Sequence, residues 1–309
     1  INLDGDYTAG DRIDRIYKEP DLKSTDYKPT NLRVLSFDIE SGHIKENDKL
    51  YCISLVCGSI KKSFINSKEK VEGAISCNDE EEVLEKFIEE IKNLDPDIIT
   101  GWNVIDFDLA YLSKKCKKLK IPFDFGREPG QCNIRIEENF FRDSKVDVSG
   151  RQVLDGLNLL KVSFIKVEDY KLDTVAKSIL GEGKLIHAQG EEKYKEIDDA
   201  FKNNKKKLIE YNLKDAELVI KILEKTKVVE LTILRSLLTG MPLDRVNASI
   251  ASFDSLYIRE TIKNKLAVPT GKYTVKEEGI KGGYVRESLP GIYDYIIILD
   301  FKSLYPSMM

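Results

Sequence analysis

Residues 33–41, Arg33-Val34-Leu35-Ser36-Phe37-Asp38-Ile39-Glu40-Ser41, join an apolar run to a pair of carboxylates. The run reads as a buried strand over residues 33–39, and because strand side chains repeat every two residues, Asp38 and Glu40 must share one face. Two acids so close raise each other's pKa unless a cation neutralises them, and a divalent metal is the natural resolution. A lone acid-x-acid pair is also what an exposed strand end looks like, so the surrounding sequence has to decide.

Outward from this strand, residues 50–56 and 59–65 read as two more strands around Cys57-Gly58, which makes a meander. Asp79 opens a helix in which Val83, Leu84, Phe87, Ile88 and Ile91 recur at helical spacing, and Pro96 closes it. Acidic residues crowd its first turn, as the helix dipole prefers. A short strand at 97–100, a loop GWNVIDF and a helix over 108–119 follow, an alternation that predicts layered α/β packing. Residues 133–153 read as a hairpin turning at Asp143-Ser144 and feeding a buried strand that ends at Leu154.

Beyond it the chain is mainly helical. Asp173 is the expected N-cap of TVAKSIL and Gly181 its stop, with further helices over 205–225, 228–239 and 244–265. The last strong signal is a strand, YIIILDF, at 295–301. Residues 1–32 are polar, lack a period that buries a face, and read as the tail of an upstream domain. A change of character near residue 230 marks another boundary, so the expected divisions are 1–32, 33–229 and 230–309.

Composition narrows the chemistry. The 309 residues are 41% hydrophobic and 33% charged with 9 prolines, which excludes collagen-like, disordered and disulfide-scaffold classes. No apolar run approaches the roughly 20 residues of a membrane span, so no membrane partner is expected. With 49 basic against 53 acidic residues and a net charge of -4, any nucleic-acid contact must be local. Five cysteines without paired zinc spacing read as reduced thiols of an intracellular protein. His43 and His187 are the only histidines, which gives poor support to a histidine metal cage or a Ser-His-Asp triad and leaves the chemistry to carboxylates. The lysine clusters at 114–120 and 202–207 read as solvated helix faces. Starting at Ile1 and stopping just after a strand-turn signal, the chain is expected to be an internal piece of something longer.

Three more positions join the acidic pair. Asp108 stands at the start of a helix, where an Asp is usually a cap. Tyr211 and Asp215, i and i+4 on the long helix, stack phenol and carboxylate on one face. Asp155 and Asp173 read as caps, and Asp95 and Asp97 as flanks of a proline turn. The order DxE, then NxxxFD, then YxxxD sets Asp38, Glu40, Asp108 and Asp215 apart from these isolated acids.

Phe37-Asp38-Ile39-Glu40-Ser41, Asn103-Val104-Ile105-Asp106-Phe107-Asp108 and Tyr211-Asn212-Leu213-Lys214-Asp215 resemble the three proofreading-exonuclease motifs of family B DNA polymerases. DPDIITGWNVIDFDLAYL and YKLDTVAKSILGEGK extend the likeness, and DFKSLYPS at 300–307 resembles the first polymerase palm motif. Gly282-Gly283-Tyr284-Val285 sits where such polymerases carry a glycine-rich element between editing and synthesis domains. The wording GWNV, LGEGK and GGYV is most similar to the DNA polymerase II and archaeal branch, and the similarity runs from about residue 33 to 309.

This resemblance implies a ribonuclease-H-like exonuclease domain, a mixed sheet flanked by helices, followed by a mainly helical segment and the first part of a polymerase palm. It implies two divalent ions, Mg²⁺ or Mn²⁺, bound by Asp38, Glu40, Asp108 and Asp215. Asp38 would bridge them, Glu40 and Asp215 would complete the site holding the nucleophilic water, and Asp108 would support the second ion. The Tyr211 hydroxyl would orient the water, where related nucleases carry His. The implied partner is DNA, as a single-stranded 3′ end or a primer-template, and the product is a nucleoside monophosphate. Asn103 and Phe107 are expected DNA contacts, with Phe107 equally readable as plain core, and Gly282, Gly283 and Tyr284 are expected contacts too. The hairpin between residues 133 and 148 resembles the family element that helps separate primer from template.

On the polymerase side, Asp300 matches the first catalytic aspartate, a metal ligand of an incomplete site. Tyr305 matches the residue that stacks under the sugar and excludes a 2′-hydroxyl, with Phe301, Ser303 and Leu304 beside it in the nucleotide-binding segment. A second palm aspartate and a fingers helix do not occur within these residues, so synthesis by this chain alone is not expected. Deoxynucleoside triphosphates then belong to the full-length enzyme, a sliding clamp would bind through other regions, and a cytoplasmic, nucleoid-associated location is expected. The competing expectation is a catalytically idle DNA-binding or scaffold piece. A ribonuclease is disfavoured by DFKSLYPS.

Overall fold

The computed structural model describes residues 2–10, 12–23, 31–43, 48–137, 144–185, 191–269, 284 and 286–308. Two compact units emerge, Ile1–Leu266 and Ala267–Met309.

The polar segment that reads as a tail carries four short strands. β1 (Asn2–Asp4) pairs antiparallel with β4 (Asp21–Lys23), and β2 (Tyr7–Thr8) with β3 (Ile16–Tyr17). Backbone pairing rather than a buried face makes these ladders, so no apolar period signals them. Arg12 anchors the segment by donating to the Asp124 carboxylate at 3.1 and 3.2 Å and to the Gly126 carbonyl at 3.0 Å.

The remaining strands are β5 (Val34–Ser41), β6 (Leu50–Cys57), β7 (Ile60–Asn66), β8 (Ile75–Cys77), β9 (Ile98–Thr100), β10 (Asn133–Arg135), β11 (Lys145–Asp147) and β12 (Gln152–Val153). The helices are α1 (Glu80–Leu94), α2 (Ala110–Leu119), α3 (Gly156–Lys161), α4 (Leu172–Leu180), α5 (Glu191–Asn203), α6 (Lys205–Thr226), α7 (Val228–Thr239), α8 (Ser249–Lys263) and α9 (Leu304–Met308). Six strands form one mixed sheet in the order β12-β9-β5-β6-β7-β8. The expected meander is present, with β5, β6 and β7 antiparallel in turn, while β9 and β12 add in parallel on the other side of β5. A sheet of this kind flanked by helices is the ribonuclease-H-like arrangement of the exonuclease domain.

Strand alternation sorts the residues of β5. Leu35, Phe37 and Ile39 join the core under α1 and α2, where the Phe37 and Phe87 rings lie 5.0 Å apart. Ser36, Asp38 and Glu40 take the opposite face, against which α6 packs. A second core gathers Leu159, Leu160, Val175, Leu218 and Ile222 from α3, α4 and α6. A third sets Tyr51, Cys52 and Ile65 of the sheet against Ile197 of α5 and Leu208 of α6. α1 begins as expected, with the Asp79 carboxylate accepting from the Glu82 N–H at 2.9 Å.

Several expectations are corrected. α4 starts one residue before Asp173, so Lys171 is its N-cap position; Asp173 instead accepts from the Lys184 N–H at 2.8 Å and pairs with Lys177 at 2.6 Å. α8 begins at Ser249, later than the pattern suggests. Helix α5 was not expected, because its sequence EEKYKEIDDAFKN is too polar to signal a buried face. Lys115 is not part of a solvated face: it is 3% exposed and its ammonium lies 3.1 Å from Glu80 and 3.4 Å from Asp48. The hairpin pairs β10 with β11, and its expected turn at Asp143 lies outside the described residues.

In the second unit the expected strand at 295–301 does not form. Ile296, Ile297, Ile298 and Leu299 are 69%, 81%, 89% and 88% exposed, and among the described residues no strand pairs with them. A strand is completed only by a neighbour that accepts and donates along its edge.

Candidate active site

β5 and α6 bring together acids that stand far apart in the chain. Asp38, Glu40 and Asp215 each offer a carboxylate oxygen, and these oxygens all lie within 4.8 Å of one another. The period of the strand aims the first two, and α6 crosses that face with Tyr211 and Asp215 one turn apart. Glu40 is 5% and Asp215 1% exposed, while Asp38 keeps more of its surface open.

Asp108 comes from the segment after β9. At Gly101 a β-carbon would lie 2.7 Å from the Phe37 carbonyl oxygen and 2.9 Å from the Val104 side chain, so only glycine lets the chain turn this close to β5. Asn103 follows at φ 60°, and then a π-helical turn, Ile105–Leu109, leads into α2. Its defining bond runs from the Leu109 N–H to the Val104 carbonyl at 2.8 Å, five residues back. Asp108 is therefore not a cap of α2. It is 1% exposed, and its Oδ1 accepts from the Ile39 N–H at 3.1 Å. β9 pairs with β5 only as far as Ser36, so this carboxylate meets β5 beyond the end of its neighbour. Asp155 does behave as a cap, accepting from the N–H groups of Leu157 and Asn158 at 2.9 and 3.2 Å, and it also accepts from Ile105 N–H at 3.3 Å, tying the π turn to α3.

All four acids line one cleft of about 190 Å³. Asp108 faces this cleft but is not one of the three acids within 4.8 Å. Trp102, Asn103, Phe107 and Leu172 line it too, and α5 contributes Lys193, Tyr194 and Ile197. Phe107 is 37% exposed and lines the cleft, so it is a cleft wall and not plain core. Tyr211 is fully buried and does not line the cleft; its hydroxyl accepts from the Lys184 ammonium at 3.4 Å.

Burial dominates the electrostatics. It pushes the carboxyls of Asp38 and Asp108 well above the ordinary range, reinforced at Asp38 by Asp215 and Glu40 and at Asp108 by Asp38. It raises Glu40 as well, where the Lys193 ammonium works in the other direction. Burial also pushes the Tyr211 phenol far up, which keeps its proton on oxygen. The Lys184 ammonium pairs directly with Asp215 Oδ2, and Lys193 lies 3.9 Å from Glu40 Oε1. Asp215 Oδ1 is buried with no partner among the described residues.

Sequence reasoning did not assign Lys184, Lys193, Asn212 or Trp102. Lys184 and Asn212 lie inside stretches already singled out, LGEGK and YNLKD, whereas no motif marks Lys193. The polymerase-side positions lie in the second unit: Asp300, Phe301, Ser303 and Leu304 are exposed, Tyr305 lies in α9, and Tyr284 is 93% exposed. Gly282 and Gly283 lie outside the described residues.

Comparison with known proteins agrees with this geometry. The family model for the exonuclease domain of family B DNA polymerases matches residues 12–175, and that for family B DNA polymerase matches 247–309. DNA polymerase II of Escherichia coli (strain K12) is 36% identical over 296 residues, which cover 92% of this chain and 36% of that protein. The DNA polymerase delta catalytic subunit of Bos taurus is 33% identical over 318 residues, 90% of this chain and 27% of its own length. A DNA polymerase of Thermococcus sp. (strain 9oN-7) is 27% identical over 292 residues, 90% of this chain and 36% of its own length. The chain thus spans 27–36% of these relatives. With motifs, sheet and acid cluster all in accord, the chain belongs to the family B DNA polymerases and carries the family's exonuclease domain.

Proposed function

We propose that this chain hydrolyses the 3′-terminal phosphodiester of DNA, releasing a nucleoside monophosphate, as the proofreading portion of a DNA polymerase. The observation that carries the reading is the meeting of Asp38, Glu40 and Asp215 within 4.8 Å. Their donors are all carboxylate oxygens, the ligands that Mg²⁺ and Mn²⁺ prefer, and among the described residues no donor meets the buried acceptor Asp215 Oδ1. The residues fit divalent ions, with Asp38, Glu40 and Asp215 as the inner ligands and Asp108 as the fourth, two ions in all. Such ions would lower the pKa of the attacking water and stabilise charge on the phosphoryl oxygens.

The chain's own residues do the rest. The water oxygen bonds to phosphorus, the bond from phosphorus to the 3′ oxygen breaks, and the water proton ends on solvent while the leaving oxygen gains one. The Tyr211 hydroxyl, which keeps its proton beside Asp215, would orient the attacking water. Trp102, Phe107 and Leu172 offer apolar walls to unstacked terminal bases and Asn103 a polar contact, which suits a single strand held without sequence readout.

The division into a segment over 1–32, an exonuclease domain over 33–229 and the start of a palm over 230–309 belongs to this proposal. So do roles for Gly282, Gly283 and Tyr284 on DNA, for Asp300 as a polymerase metal ligand, and for Phe301, Ser303, Leu304 and Tyr305 with a deoxynucleoside triphosphate in the full-length enzyme. A sliding clamp partner and a cytoplasmic, nucleoid-associated location complete it; among the described residues no helix is long and apolar enough to cross a membrane.

A 5′-labelled single strand incubated with the chain and Mg²⁺ or Mn²⁺ tests the reading. A ladder of shortened strands is expected, abolished by Asp38→Ala with Glu40→Ala. Binding without cleavage, insensitive to metal, would instead establish an idle scaffold.

A further inference from the structure

Asn212 follows Tyr211 on α6 and turns about 100° away from it around the helix. It is 0% exposed, and its Nδ2 donates to Asp38 Oδ2 at 2.7 Å. Its own carbonyl, Oδ1, is buried with no partner among the described residues. An amide buried for stability uses both ends; one left half-satisfied is poorer than an apolar side chain of the same volume. The position therefore asks for a reason outside stability.

The three clustered acids are held differently. Lys184 pairs with Asp215 and Lys193 approaches Glu40, each an ammonium that offsets charge. Asp38 is met by a neutral amide, which fixes one carboxylate oxygen, and with it the plane of the group, while leaving the full negative charge for a cation. A carboxylate still has lone pairs on both oxygens after accepting one such bond. Leucine would lack the donor, and aspartate would set a like charge against Asp38.

We propose that Asn212 is a positioning residue for the metal site, orienting the Asp38 carboxylate so that it meets a divalent ion in one geometry; this rests on the reading of the acids as an ion site. Hydrogen-bonded partners of metal ligands commonly govern affinity in this way, and their loss typically costs about 10- to 100-fold.

Mn²⁺ titrations of the full chain without DNA, followed by electron paramagnetic resonance, compare the parent with Asp38→Ala, Asn212→Leu and Asn212→Ala. Both Asn212 variants should bind Mn²⁺ about 10- to 100-fold more weakly. The Mg²⁺ concentration for half-maximal hydrolysis should rise by the same factor with the KM for DNA unchanged. Unfolding of Asn212→Leu in chelator should need no less urea than the parent, and Asn212→Ala carries the test if the leucine variant does not fold. Loss of Mn²⁺ affinity in Asp38→Ala but parent-like affinity in the foldable Asn212 variants would overturn this inference alone. Parent-like affinity in Asp38→Ala would overturn the ion-site reading and this inference with it.

Discussion

Residues 33–39, RVLSFDI, and residues 295–301, YIIILDF, are nearly the same message: an apolar run with an aspartate near its end. In the first, Leu35, Phe37 and Ile39 are 0%, 1% and 3% exposed; in the second, Ile297 and Ile298 are 81% and 89% exposed. What separates them is company. β5 has β6 on one edge and β9 on the other, whereas among the described residues nothing pairs with the later run. Hydrophobicity states a need for partners, and only partners turn it into a strand that can aim a carboxylate. Asp38 is thereby brought to two other acids, while Asp300 stands exposed.

The largest expected contrast lies between those two aspartates. Asp38→Ala should cut 3′-end hydrolysis by about 1,000-fold or more, since an inner ligand matters at least as much as an oriented transition-state donor, while Asp300→Ala leaves the rate unchanged; equal losses measured on the labelled strand would break the contrast. Next comes stability. Phe37→Ala empties a packed site and should cost about 3–5 kcal/mol by urea unfolding, against a change within about 0.5 kcal/mol for Ile297→Ala.

A smaller effect is a pH slope confined to the first region. Burial raises the Asp38, Glu40 and Asp108 carboxyls in the fold, so the folded chain holds protons that the unfolded chain gives up above about pH 4. Stability in chelator should be fullest below that value and decline as pH rises through the raised range. Asp38→Asn or added Mg²⁺ should flatten the decline, and a chelator-treated parent with no slope would contradict it. Smallest is Glu182, half-buried, whose carboxyl the Lys214 and Lys221 ammoniums hold down to about 2. Its contribution is present above the ordinary glutamate value and lost as pH falls towards the depressed one. Glu182→Gln should cost less than about 1 kcal/mol, discounted for solvent screening, with no effect on hydrolysis.

Sheet and acids were legible because both rest on local period. The alternation of β5 placed Asp38 beside Glu40, and helical spacing placed Tyr211 over Asp215. The convergence of β5, the π turn and α6 was not local, and only the joint motif order pointed to it. Polar elements escaped notice for a related reason: β1 to β4 and α5 bury too little apolar surface to leave a period. Lys193 was invisible because it reaches the acids from α5, a helix that itself gave no signal. Asp108 was marked as a site acid by the motif order, but the π turn that carries it was read as the start of an α-helix, since the two look alike in sequence.

That π turn has a consequence for how this stretch tolerates change. A turn closed over five residues holds one more than an α-helical turn would. Deleting a residue between Gly101 and Ala110 would let a regular helix grow backwards from α2, swinging Asp108 by roughly 100° away from β5. The segment should therefore be intolerant of a change in length even at positions such as Asp106 that stand outside the cleft, so that its spacing matters as much as the side chains it carries.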